Sequence, residues 1–311
     1  MELKAWEYEE MPEFDECVDG ATWLNTTGEE QGVSYLPNVE YESVGGVSRV
    51  LQILIPNSRR HKAPKQGRAV SRAYPCVVYV QGFAWMTQDV YANLPCIARL
   101  AERGFVVAIV QYRESGVGVF PDPVRDTRNA IRFMRANAAA YAVDPTRVAV
   151  MGDSSGGHTA AYAGILHDDD TEFNLFIGVS AEVGCIVNYY GSTDFTFEDA
   201  NPSTPSHNLP ESPEGMIMGG INLREDRAAR ELLTVKCNID KTTDVAPMLI
   251  VHGTKDRIVN TRCSVNLYER LRKTGHACQL YLLRGADHGG PEFWTDQVLD
   301  IVETFLRQHL G

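Results

Sequence analysis

The sequence predicts an α/β fold, with a doubly wound and mostly parallel β-sheet that carries helices on both faces. Short apolar runs alternate with helical patterns along the 311 residues, and alternation of this kind builds βαβ units. Several runs are apolar at every position, as is typical of parallel strands covered on both sides. The length is ordinary for one large α/β domain. We therefore expect residues 1–311 to form a single domain with a small insertion near 193–245.

Seven segments have the composition of strands, and five have a helical pattern. The predicted strands cover residues 49–55, 75–81, 105–111, 147–152, 185–190, 247–252 and 278–284. The predicted helices cover about residues 91–103, 122–141, 155–166, 261–274 and 293–309. An open parallel sheet binds its ligand beyond the carboxyl ends of its strands. Residues that directly follow a strand are therefore the first candidates for chemistry.

Two regions depart from this alternation. Residues 56–74 are basic and polar, and we expect an exposed loop between two strands. Residues 193–245 contain clusters of Pro, Ser, Asn and Asp around one short helical run near 226–235. This second region fits either a lid or small cap over the site, or a plain surface excursion, equally well.

Composition and charge narrow the classes of partner. The hydrophobic fraction of 44% and the charged fraction of 23% are those of an ordinary globular protein. The formal net charge of −12 disfavours binding to nucleic acid or to an anionic membrane. No run approaches the roughly 18 apolar residues that a membrane-spanning helix needs. We therefore expect neither nucleic acid nor membrane as a partner.

The cysteines and the first residues bear on the compartment. The seven cysteines are odd in number, form no CxxC pair and lie partly inside apolar runs. This pattern indicates neither a disulfide framework nor a zinc site, and it suits a reducing compartment. The first twenty residues are acidic and lack both a basic start and an apolar run. We expect no secretory signal there, and a cytoplasmic location.

The strongest motif in the chain is Gly152-Asp153-Ser154-Ser155-Gly156-Gly157, between an apolar strand and a small-residue helix. It matches G-x-S-x-G, the turn that presents a nucleophilic serine in hydrolases. The turn is so tight that the positions two residues before and after the serine must be small. Centring the motif on Ser154 places glycine at both positions, whereas centring it on Ser155 places Asp153 at one of them. Ser154 is therefore the predicted nucleophile.

A serine hydroxyl needs a base, and the base needs a carboxylate that orients it. His288 follows a predicted strand in the glycine-flanked loop GADHGG, and Asp256 follows the preceding strand in HGTKD. Their order along the chain is Ser, Asp, His, as in hydrolases with this motif. Asp194, which follows the strand before, is the alternative acid. Asp287 is disfavoured because a sequence neighbour of the histidine rarely reaches the correct ring nitrogen.

Acyl transfer also needs hydrogen-bond donors for the negative oxygen that develops on the carbonyl. The amide of Ser155, directly after the nucleophile, is one predicted donor. The loop after the strand CVVYV predicts two more, the amides of Phe83 and Ala84. Gln81 and Trp85 in the same loop are candidates for the substrate pocket. For Trp85, a place in the hydrophobic core is an equally good interpretation.

Several motifs together resemble a known family of hydrolases. They are QGFAW, YRESG, FPDPVRDTRNAIRFMRANAAAY, DPTRVAVMGDSSGGH, SPEGMIMGG, HGTKD and GADHGG. They resemble α/β-hydrolase esterases related to hormone-sensitive lipase, and above all the BD-FAE branch of feruloyl and acetyl-xylan esterases, over roughly residues 40–310. The resemblance implies the α/β-hydrolase fold, the triad Ser154, Asp256 and His288, and hydrolysis of short acyl or cinnamoyl esters on plant cell-wall sugars. The sequence departs from the family at Gln81 and Phe83, where a histidine and a glycine are usual.

These observations give one leading hypothesis and two alternatives. The leading hypothesis is a serine esterase without metal or other cofactor, whose partner is a small-molecule or oligosaccharide ester. The first alternative uses the same triad on an amide bond, as arylformamidases and exopeptidases do. The second is a binding module that keeps the fold without catalysis. A lost triad residue would indicate such a module, and the sequence retains all three.

Overall fold

Eight strands form one sheet in the computed structural model, which describes residues 5–64, 72–166, 173–197, 202–241 and 243–311. Their spatial order is β1-β2-β4-β3-β5-β6-β7-β8. β2 runs antiparallel to its neighbours β1 and β4, and the pairs from β4 to β8 are parallel. The strands are β1 (Gly32–Val44), β2 (Val47–Asn57), β3 (Tyr74–Val80), β4 (Val106–Val110), β5 (Val143–Asp153), β6 (Ile186–Tyr189), β7 (Met248–Gly253) and β8 (Cys278–Leu283).

Helices cover both faces of this sheet. They are α1 (Leu94–Glu102), α2 (Asp122–Ala136), α3 (Ser155–Ala163), α4 (Pro213–Ile217), α5 (Arg227–Leu233), α6 (Arg262–Thr274) and α7 (Asp296–Leu310). The buried side chains of α2, α3 and α6 share one hydrophobic core, and those of α1 and α7 share a second one. The predicted fold class, a doubly wound and mostly parallel sheet, is confirmed. No helix within the described ranges is long and apolar enough to cross a membrane.

The central strands are buried on both faces because their side chains alternate between the two cores. In β3 all seven residues are buried. Val78 and Val80 pack in the core with α2 and α3, while Val77 and Tyr79 pack in the core with α1 and α7. Burying one such side chain contributes about 1.5–3 kcal/mol. This explains the continuous apolar runs from which the parallel sheet was predicted.

The structure confirms the seven predicted strands and the five predicted helices, with boundaries moved by a few residues. The predicted helix 122–141 is divided: α2 ends at Ala136, a 3₁₀ turn spans Ala138–Tyr141, and Ala142 has a left-handed φ of 57°. The short helical run near 226–235 is α5. The strand β1 and the helix α4 were not predicted.

The insertion near 193–245 packs against the body of the domain. Phe195 and Leu233 are buried in the core shared with α2 and α3. The amide of Thr204 donates to the Arg257 carbonyl at 2.7 Å, and Asn260 Nδ2 donates to the Pro202 carbonyl at 2.9 Å. The region therefore touches the loop after β7. Residues 198–201 and 242 of the insertion, and residues 65–71 of the predicted loop 56–74, lie outside the described residues.

Candidate active site

The turn between β5 and α3 carries Ser154 in a conformation that few residues adopt. Its φ is 52° and its ψ is −125°, and such a strained backbone persists only where the surroundings fix it. A Cβ on Gly152 would lie 2.2 Å from the carbonyl oxygen of Gly156, and a Cβ on Gly156 would lie 2.0 Å from that of Val80. Both positions therefore require glycine. The turn projects the Ser154 hydroxyl toward the surface, and the residue is partly exposed.

Three side chains from three strand ends meet in one hydrogen-bonded chain. His288, after β8, places its Nε2 atom 2.9 Å from Ser154 Oγ. The Nδ1 atom of the same ring lies 2.8 Å from Asp256 Oδ2, in the loop after β7. The Asp256 side chain is fully buried, whereas the His288 side chain is 17% exposed. The structure thus brings together the three residues that the sequence singled out for a triad.

The Asp256 carboxylate is held ionised. Burial alone would raise its pKa, but hydrogen bonds from His252 and His288 hold the pKa well below its usual range. Its other oxygen, Oδ1, accepts from the backbone amides of Ile258 at 2.9 Å and Val259 at 2.8 Å. The acid therefore presents a fixed negative charge to the His288 ring.

The two other acids considered from the sequence have different partners. Asp194 pairs with Lys236 at 2.5 Å and accepts from Asn266 Nδ2 at 2.7 Å. Asp287 pairs with Arg257 at 2.6 Å. Asp287 also accepts a hydrogen bond from the backbone amide of His288, rather than from a ring nitrogen of that residue. Asp194 thus forms an ion pair within the insertion, and its hydrogen bond with Asn266 links the insertion to α6.

The loop after β3 packs against the turn that carries Ser154, and its amides are not all free, in contrast to the prediction from the sequence. The amides of Phe83 and Trp85 donate to the buried Ser155 Oγ at 3.1 and 3.2 Å. Within the described residues, the amides of Ala84 and Ser155 have no acceptor. Ser155 opens α3, where an amide lacks an intrahelical partner. Among the residues described, the amides of Ala84 and Ser155 are therefore free, while the Phe83 amide is bound to the Ser155 hydroxyl.

Gln81 and Trp85 do not line an open pocket. Trp85 is only 1% exposed, and its indole nitrogen donates to Thr159 Oγ1 at 3.2 Å. Its ring packs edge-on against His158, with centroids 5.1 Å apart. Gln81 is fully buried, and neither polar atom of its side chain has a partner in the described residues. For Trp85 the structure selects the core interpretation, because α3 supplies both a ring contact and a hydrogen-bond acceptor.

Two site residues, Asp153 and Tyr190, were not singled out by the sequence reasoning. The buried Asp153 accepts from Tyr79 Oη at 2.8 Å and from the Gly82 amide at 3.0 Å, which fixes the loop after β3. Burial raises the pKa of Asp153. Tyr190 directly follows β6 with a φ of 38°, and its ring lies edge-on to His288 at 4.8 Å. Its place at a strand end was the signal that could have revealed it.

No cluster of three or more His, Cys, Asp or Glu side chains that could hold a metal ion occurs in the part of the chain that the structure describes. At the site, a hydroxyl, a base and a buried carboxylate form one hydrogen-bonded chain. This arrangement suits nucleophilic attack on a carbonyl carbon.

Comparison with protein families gives one match, to the family described as BD-FAE, over residues 64–271. Among curated relatives, Esterase LipC of Mycobacterium tuberculosis is 29% identical over 69% of this chain and 53% of its own length. A probable isoprenylcysteine alpha-carbonyl methylesterase of Oryza sativa is 28% identical over 69% of this chain and 51% of its own length. The chain thus spans about half the length of these relatives.

Solved structures resemble the chain over a larger share of its length. A truncated carbohydrate esterase from gut microbiota superposes with a TM-score of 0.74 at 25% identity, covering 91% of this chain and 98% of the other. Esterase 2 of Thermogutta terrifontis, phosphonylated by sarin, has a TM-score of 0.67 at 22% identity, covering 89% and 95%. At that identity the second likeness shows the fold alone, which is that of an α/β-hydrolase.

Proposed function

The chain belongs to the BD-FAE family, and from this premise we propose that it is a serine carboxylic-ester hydrolase with the triad Ser154, His288 and Asp256. The hydrogen-bonded chain from Ser154 Oγ through the His288 ring to Asp256 Oδ2, with links of 2.9 and 2.8 Å, carries the proposal. Three separate strand ends supply these groups. A binding module without catalysis would have no use for a base aligned on a hydroxyl.

In the first half of the proposed reaction, Ser154 Oγ attacks the ester carbonyl while His288 Nε2 takes its proton. Asp256 stays ionised and stabilises the imidazolium that forms. The negative oxygen of the tetrahedral intermediate accepts hydrogen bonds from the amides of Ala84 and Ser155, at the positive end of α3. His288 then returns the proton to the departing alcohol, which leaves an acyl group on Ser154.

In the second half, water repeats the cycle on the acyl-enzyme. His288 takes a proton from the water as it attacks the acyl carbon, and the same two amides hold the new oxyanion. The proton then passes from His288 to Ser154 Oγ, and the carboxylic acid leaves. Both halves use the same groups, so neither half requires a metal or another cofactor.

For the substrate we propose short acyl or feruloyl esters of plant cell-wall carbohydrate. The main support is the carbohydrate esterase from gut microbiota, which matches 91% of this chain and 98% of its own length. By contrast, the match to the methylesterase relative covers only 51% of that protein's length. A net charge of −12 also suits a neutral sugar ester better than an anionic ligand.

Hydrolysis of 4-nitrophenyl acetate tests the reaction, and product release from arabinoxylan fragments tests the substrate. We expect Ser154→Ala to lower kcat by at least about a thousandfold, since the attacking group is gone. The native enzyme should release acetate or ferulate from the fragments. Turnover unchanged in Ser154→Ala would contradict the mechanism. Preference for formylkynurenine or an aminoacyl nitroanilide would indicate an amidase, and preference for a prenylcysteine methyl ester would indicate a methylesterase.

A further inference from the structure

A second histidine contacts the acid of the proposed triad from behind. His252 lies in β7, four residues before Asp256, and its side chain is completely buried. Its Nε2 atom is 3.0 Å from Asp256 Oδ2, the same oxygen that binds His288 Nδ1 at 2.8 Å. The mechanism described above does not use His252, so its contact with the acid calls for a separate explanation.

The neighbours of His252 fix where its proton lies. Nε2 faces Asp256 Oδ2 and, at 2.9 Å, the carbonyl oxygen of Val259. Both oxygens can only accept, so Nε2 must carry a hydrogen. Nδ1 lies 2.7 Å from Ser264 Oγ on α6, and a hydroxyl can donate to it. A neutral ring with its proton on Nε2 therefore satisfies every contact in the line from Ser264 to Asp256.

The Nε2–H group also joins two parts of the acid loop that would otherwise repel each other. The carboxylate of Asp256 and the carbonyl of Val259 both lie against His252; the first carries a negative charge and the second a partial negative charge. Without a donor between them, the Val259 carbonyl would lose its contact with His252 and the two oxygens would face each other and repel. The loop would then shift, and the carboxylate would turn with it.

We propose that His252 is a positioning residue of the triad. It holds Asp256 Oδ2 toward His288, and Ser264 keeps its ring in the tautomer that can do so. This inference rests on the proposed function. His252 touches neither the ester nor the reacting atoms, and it acts through Asp256.

The proposal has a consequence for pH dependence. A second donor on Oδ2 draws negative charge away from His288, so it makes the imidazolium form less favourable. Removing that donor should therefore move the acidic limb of kcat/KM to higher pH. The other titratable groups near the ring and its acid are the same in all variants: Asp153, Tyr190, Lys255, Arg257 and Asp287.

Four variants test the proposal, each measured for kcat and KM on 4-nitrophenyl acetate between about pH 5 and about pH 9. His252→Leu removes the donor and keeps the bulk, whereas His252→Gln keeps an N–H group within reach of Asp256. Ser264→Ala removes the group that selects the tautomer. His158→Leu is the matched control: the His158 side chain is equally buried and also contacts a carbonyl, that of Leu233 at 2.8 Å, but this side chain does not touch the triad.

We expect His252→Leu to lower kcat by about 10- to 100-fold with KM changed less than about twofold, because a displaced orienting group mainly affects the transition state. Its acidic limb should rise by about half a pH unit. His252→Gln should recover most of both effects, and Ser264→Ala should show smaller changes in the same directions. The control should lower Tm and leave the acidic limb where it is in the native enzyme.

Two results would overturn the inference. One is a native acidic limb and a nearly native kcat in His252→Leu. The other is a His252→Gln variant as impaired as the leucine variant, which would mean that His252 only packs. If His252→Leu does not fold, the glutamine and Ser264→Ala variants decide by the same criteria. An inactive native enzyme that no fluorophosphonate labels would instead refute the proposed function itself.

Discussion

Ser155 has a task that its position beside the nucleophile does not reveal. Its hydroxyl accepts hydrogen bonds from the amides of Phe83 and Trp85, and these bonds connect the loop after β3 to the start of α3. Its own amide stays free beside Ser154. One residue thus sets the loop that carries Ala84 and also supplies a donor. The sequence predicted the second role, but the first depends on a tertiary contact that no motif encodes.

Replacing Ser155 by alanine tests this double role. The change leaves the two loop amides buried without an acceptor, so we expect a loss of about 1–3 kcal/mol in the free energy of unfolding. We also expect a lower kcat, because the amide of Ala84 is no longer held in place. Urea unfolding and 4-nitrophenyl acetate kinetics measure the two effects. Ser155→Thr keeps a hydroxyl and serves as control, and equal defects in both variants would contradict the explanation.

At the scale of elements, the sheet could be predicted where its strands are buried on both faces. β1 escaped prediction because it is an antiparallel edge strand with mixed burial and irregular register. The five-residue α4 escaped because its signals are a Ser212 N-cap and a proline in the first turn, with no apolar period long enough to recognise. In both cases the decisive contacts come from elsewhere in the fold.

β1 also contributes an acid that links it to α2. Glu42 is buried, and Asn129 of α2 donates to it at 3.1 Å. Burial, and then the charge of Asp126, raise the pKa of Glu42 from 4.5 to about 7. The folded state therefore holds a proton on Glu42 that the unfolded chain releases at lower pH. The contribution of Glu42 to the free energy of unfolding should be undiminished below about pH 4.5 and should fall as the pH rises to about 7.

The Glu42→Gln variant tests this pH dependence. An uncharged amide of similar shape cannot titrate. The contribution of this site to the free energy of unfolding should therefore not change with pH across the same window. In the native protein the slope from this one group is at most about 1.4 kcal/mol per pH unit. Urea unfolding at a series of pH values measures it. Identical pH profiles for the native protein and Glu42→Gln would show that this carboxyl does not titrate in that window.

At the scale of the whole molecule, the fold and the meeting of the three candidate side chains could be predicted for one shared reason. A parallel sheet brings the carboxyl ends of distant strands to one edge, so Ser154, Asp256 and His288 could be joined although they are far apart in sequence. The groups that refine the site could not be predicted in the same way. The contact of His252 with the acid and the ring of Tyr190 over His288 depend on side-chain direction, which the fold fixes and local sequence does not.

Labelling with a fluorophosphonate, followed by mass spectrometry of the peptides, tests the central claim most directly. The reagent reacts with a serine that an adjacent base activates, and the turn carries two serines side by side. We predict one adduct on Ser154, no adduct in Ser154→Ala, and an adduct that persists on Ser154 in Ser155→Ala. Label on Ser155, or ester hydrolysis that continues in Ser154→Ala, would contradict the assignment of Ser154 as the nucleophile.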